Sequence, residues 1–70
     1  MSKDERPTDV LIREAIKRLL ESRAEISYAS LIHMLRTQRR DTTDSQKRVH
    51  YTLAVGEVRA HQILHQSGYA

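Results

Sequence analysis

SQKRVHYTLAVGEVRAHQILHQ, Ser45 to Gln66, is the stretch that decides how this chain folds. It holds no proline, and its one glycine is Gly56. On a helical wheel it carries two apolar stripes. Val49, Leu53, Gly56, Ala60, Ile63 and Leu64 fall on one side, and Tyr51, Ala54, Val55 and Val58 fall nearly opposite. A helix at the edge of a small monomer needs one apolar stripe; two opposed stripes imply burial on both sides. The preceding segments cover one stripe. The sequence reading gives them the Val49–Leu53 side and leaves Tyr51, Ala54, Val55 and Val58 as the face for a second copy or another partner. A glutamate at Val55 or Val58 is then expected to dissociate a homodimer and leave helicity partly intact.

Working outward, a short polar break precedes this stretch. Thr43 followed by Gln46 fits a capping box, with Asp44 adding a carboxylate to the first turn. Upstream, Tyr28, Leu31, Ile32 and Leu35 recur with helical period behind Ser27, an N-cap candidate, and Ile26 is spaced from Leu31 as a hydrophobic staple. Further upstream Leu11, Ile12, Ala15, Ile16, Leu19 and Leu20 form a regular stripe, opposite Arg13, Glu14, Lys17, Arg18 and Glu21. Glu14–Arg18 and Lys17–Glu21 are spaced for ion pairs along that helix. Pro7 suits a first helical turn, with Thr8 or Asp9 as alternative caps. At the other end Gly68 is placed to stop the last helix, and Tyr69 to fold back on Leu64.

The fold expected is all-α: helices over about 8–22, 28–39 and 44–66. The last two form a helical hairpin with the N-terminal helix packed across it. Residues 1–7 read as a flexible tail and 8–70 as a single three-helix domain, expected to be homodimeric. A chain of 70 residues buries a modest fraction of its surface. With no cysteine it has no disulfide or thiolate metal site, so self-association is the most available source of extra stability. Phe and Trp are absent, so the core is aliphatic. No apolar run reaches the length of a membrane span, and the N-terminus lacks an apolar signal core. A cytoplasmic location without membrane contact is the expectation.

Charge is segregated. Arg36, Arg39, Arg40, Lys47 and Arg48 outnumber Asp41 and Asp44 by three, and the rest of the chain is balanced at seven basic and seven acidic residues. The net +3 therefore sits in one segment, a candidate for nucleic-acid phosphate or an acidic protein. Arginines also suit a helix C-terminus, which explains part of the segment without a ligand. The order helix, short turn, helix with Lys47 and Arg48 in its first turns matches a helix-turn-helix reader of DNA. The apolar residues Tyr51, Val55 and Val58 on its outward side argue against direct base reading.

No catalytic set is visible: there is no glycine-rich phosphate loop, and a helical chain of this size offers little concave pocket. The reading is therefore not an enzyme, with no cofactor and no small-molecule substrate. His61 and His65 are spaced to share a metal, but a third ligand would have to be Glu57 or come from elsewhere. His50, His61 and His65 lie along one flank with Glu57 and are the candidates for pH sensing. Their protonation would add like charges beside the partner face, so acid is expected to weaken the assembly.

EISYASLIHML (Glu25–Leu35) followed by DTTDSQKRVHYTLAVGEV (Asp41–Val58) resembles the YmgB/AriR-type biofilm-development and acid-resistance regulators of enteric bacteria. Ile26, Leu31, Ile32 and Leu35 match that family's first segment, and Asp44, Tyr51 and Leu53 its second. The chain departs from the pattern at Arg36, where the family has an acidic ending to the helix. The resemblance implies a small helical homodimer acting as regulator or connector in stress, biofilm and two-component signalling through a regulatory protein partner. It also implies association with DNA, which has been proposed for such proteins.

Overall fold

The computed structural model describes residues 5–67, without the side chains of Gln66 and Ser67. It contains three helices, α1 (Pro7–Glu21), α2 (Tyr28–Asp41) and α3 (Ser45–Ser67), and no strand among the described residues. Pro7 opens α1 behind Arg6, which provides no side-chain cap. Thr8 therefore lies inside the helix, not ahead of it, and is buried. Ser27 caps α2 as its sequence predicts. Its hydroxyl accepts from the Ser30 N–H at 3.1 Å, and the Ser27 N–H donates to Ser30 Oγ at 2.9 Å.

Asp44, not Thr43, takes the capping role at α3. Asp44 Oδ1 accepts from the N–H groups of Gln46 (2.9 Å) and Lys47 (3.3 Å), the orphan donors of the first turn. A carboxylate there also meets the positive end of the helix dipole, which a threonine hydroxyl does not match. The stop expected at Gly68 and Tyr69 lies outside the described residues.

The core is Leu11, Ala15 and Leu19 of α1, Leu31 and Leu35 of α2, and Tyr51, Ala54, Val55 and Val58 of α3. Ile12, Ile16, Tyr28, Ile32 and Met34 pack around it. Ala15, Leu35 and Ala54 are fully enclosed. The two alanines keep side-chain volume low where α1 and α3 meet the core, which lets helices approach closely. α2 and α3 run antiparallel, with Tyr28 beside His65 at one end and Arg39 beside Thr52 toward the other. α1 crosses this hairpin. Its first turn reaches the middle of α3, where Arg6 pairs with Glu57 and Thr8 Oγ1 donates to Glu57 Oε2 at 3.3 Å.

Among the described residues the ion pairs are Arg6–Glu57 and Arg13–Glu5, so the expected Glu14–Arg18 and Lys17–Glu21 pairs do not close. The Arg13 guanidinium holds the Glu5 carboxyl below its ordinary range. A lowered carboxyl favours the fold above the unfolded value and loses that effect as pH falls through the lowered one. At the surface the contribution is small.

α1 ends in a Schellman turn. The Ala24 N–H donates to the Leu19 carbonyl at 3.0 Å and the Arg23 N–H to the Leu20 carbonyl at 3.1 Å. Arg23 sits at φ 58°, a left-handed conformation that a side chain disfavours. Arg23→Gly is expected to stabilise the protein by about 0.5–1 kcal/mol, relief of the left-handed strain outweighing the greater freedom glycine gives the unfolded chain. Thermal melting of the two proteins side by side checks the sign. Asp44→Ala is expected to cost about 1 kcal/mol, where Thr43→Ala costs little.

Candidate interaction surfaces

The face assigned by sequence to a partner is the inside of the molecule. Tyr51, Ala54, Val55 and Val58 are each at least nine-tenths buried within the chain itself. The opposite stripe is outside: Val49 is 57% exposed, Leu53 53%, Ile63 63% and Leu64 68%. The two-stripe reading of α3 therefore holds, with the faces exchanged. The physical reason is the width and content of each stripe. α3 must cover both α1 and α2, which takes the broad 51-54-55-58 face. A glycine in the core would leave a gap there, and Gly56 belongs to the other stripe.

Val49, Leu53, Gly56, Ala60 and Ile63 are separated by four, three, four and three residues. That alternation is the narrow seam of a coiled coil and not the wider stripe of a core-facing helix. Gly56 itself is exposed, with no positive φ, and a Cβ built on it meets no atom within 4 Å. It does not make room for a side chain of its own chain.

The five basic residues divide. Arg36, Arg39, Arg40 and Arg48 line one shallow cleft of about 420 Å³ between the end of α2 and the start of α3, joined by His33 and Thr37. Lys47 is exposed and does not line that cleft. Arg39 Nη1 donates to Thr52 Oγ1 at 3.0 Å, and Thr52 Oγ1 donates to the Arg48 carbonyl at 3.0 Å, which fixes the two helices across the cleft. None of the four arginines forms an ion pair within the described residues. Sequence reasoning missed His33 and Thr37, which lie one turn before Arg36 and Arg40 on the same side of α2.

The histidines part company. His50 is half-buried beside the exposed stripe and His61 is exposed. The His65 ring meets Tyr28 edge-on, with centroids 6.0 Å apart and planes at 62°. It meets the start of α2 and stays exposed. Glu57, the third ligand a His61–His65 metal site would need, is turned to Arg6 and Thr8. No group of three His, Asp or Glu is placed to hold a metal among the described residues. No helix there is long and apolar enough to cross a membrane.

Comparison with family models, with curated proteins and with solved structures finds no match to this chain.

The exchanged faces change what a charge does at each. Val55→Glu or Val58→Glu places an unpaired carboxylate in the core, at a cost of about 3–5 kcal/mol. A domain of this size has total stability of the same order. Both variants are expected to lose the cooperative melt followed by circular dichroism, and Leu53→Glu to keep it.

Proposed function

We propose that the chain is a small, non-enzymatic regulatory or connector protein of the bacterial cytoplasm. It works as a homodimer and through protein–protein contacts, as the resemblance to the YmgB/AriR-type regulators implies. The observation that carries this reading is the exposed apolar stripe of α3. Val49, Leu53, Ile63 and Leu64 are all more than half exposed on a chain whose core is already closed by other residues. Single exposed apolar side chains are ordinary; a row of them along one helix marks an interaction surface. The absence of cysteine leaves association as the main source of added stability for so small a core.

Sedimentation of the wild type at tens of micromolar should give the dimer mass, and Leu53→Glu the monomer mass with helicity retained. A wild type that stays monomeric, or a Leu53→Glu protein that sediments with it, defeats this reading.

A second reading rests on the arginine cleft. Four unpaired guanidinium groups in one concavity form an electrostatic footprint for nucleic-acid phosphates, and the dimer would carry two of them. Next to the cleft the exposed stripe of α3 carries Val49 and Leu53, so such contacts are to the backbone and not to base edges. Arg36→Ala with Arg40→Ala should weaken binding by about the same factor on unrelated duplexes. It should also lower the salt slope by about 2 for each cleft engaged, one for each phosphate contact removed. Unchanged retention by the double variant, or no retention of the wild type at low salt, excludes it.

A further inference from the structure

We infer that the occupant of the exposed α3 stripe is the same stripe of a second copy, packed antiparallel, with Leu53 of each chain seated in the hole over the partner's Gly56. The inference rests on the homodimer reading and specifies its geometry.

Gly56 is the starting point. It lies in the interior of a helix that runs from Ser45 to Ser67, where glycine is about 1 kcal/mol less favourable than alanine. Its backbone is not left-handed, and a Cβ would meet open space. Neither conformation nor packing within the chain accounts for it. A helix approaching from outside does, since glycine admits close contact with a neighbouring backbone or a large side chain.

The rest of the seam selects the orientation. A parallel pair would stack each residue on itself, Gly56 on the partner's Gly56 and Ala60 on the partner's Ala60. Those thin layers would lie between thick ones formed by Leu53 and Ile63, which hold the helices apart. An antiparallel pair can instead oppose unlike sizes, Leu53 with the partner's Gly56 and Val49 with the partner's Ala60. Four successive layers then have one large and one small side chain each, the condition for even interdigitation.

The flanks agree on the register. In this one no like charges oppose each other: His50 lies across from the partner's Glu57, whose carboxylate stays with Arg6 of its own chain, and Arg59 lies across from the partner's Thr52. Sliding the antiparallel pair by one heptad one way brings His50 onto the partner's His50; sliding it the other way brings Glu57 onto the partner's Glu57 and Arg59 onto the partner's Arg59. The first also collects Val49 with the partner's Leu53 in one layer, and the second Leu53 with the partner's Ile63. The pattern is self-complementary about a two-fold axis, as an isologous interface requires.

The chain has no cysteine, so introduced thiols report without background. Val49→Cys and Ala60→Cys proteins, refolded together and oxidised mildly, should give a disulfide-linked dimer, and each protein alone should not. In the proposed register the two 49 positions are offset by eleven residues, roughly 16 Å along the helix, far outside disulfide reach. Gly56→Leu should weaken dimerisation about tenfold or more by filling the hole, while the melting temperature of the dilute protein stays level or rises.

Cross-linking of each protein alone at the rate of the mixture means a parallel seam and overturns the inference. No cross-link in the mixture, with a wild type that sediments as a dimer, puts the interface elsewhere and does the same. Gly56→Leu dimerising as tightly as wild type leaves the hole unoccupied, which also refutes it. A wild type that is monomeric removes the homodimer reading itself, so the two failures are distinguishable.

Discussion

Closure of one aliphatic core around Leu35 is the constraint on which everything else in this molecule depends. With no phenylalanine or tryptophan, the chain fills that core with leucine, valine, alanine and the buried ring of Tyr51. Aliphatic side chains bury less area apiece than aromatic rings, so three helices have to converge closely to exclude water. Ala15 and Ala54, both fully enclosed, allow that convergence. The face of α3 that carries Ala54 has no alternative but to turn inward, and its opposite stripe turns outward as a consequence.

Polar contacts then fix where the helices cross. Thr8 and Arg6 meet Glu57, and this holds the start of α1 against the middle of α3. Arg39 meets Thr52, tying the end of α2 to the first turns of α3. Each contact also decides what charge remains for a partner. Glu57 is withdrawn from His61, and Arg39 keeps one donor engaged while Arg36, Arg40 and Arg48 form no ion pair among the described residues. Folding concentrates positive charge between α2 and α3 where it could have dispersed it.

α3 is the longest helix and serves two surfaces at once. Its broad face completes the core; its narrow seam faces solvent from Val49 to Leu64. The arginine cleft lies along one flank of the same helix. An association that uses the seam would therefore set the distance and orientation between two such clefts. In this way the chain can present a defined arrangement of charge to a partner.

Periodicity, capping residues and composition determined the helices, because each depends on a few neighbouring residues. Helix boundaries agree to within two residues at every described end, and Ser27 caps as its neighbourhood predicts. The segregation of charge was equally legible, being a matter of counting. The competition between Thr43 and Asp44 was not, since both fit a cap locally and only the chain path into α3 chooses. Nor was the face of α3, because both stripes are apolar and local preference is silent between them. The choice was made by volume: α1 and α2 together need the broad stripe with Ala54 at its centre, and a core cannot accept the gap at Gly56. The gathering of Arg36, Arg39, Arg40 and Arg48 into one cleft, without Lys47, likewise belongs to the hairpin, which brings distant residues to one side only after the core has closed.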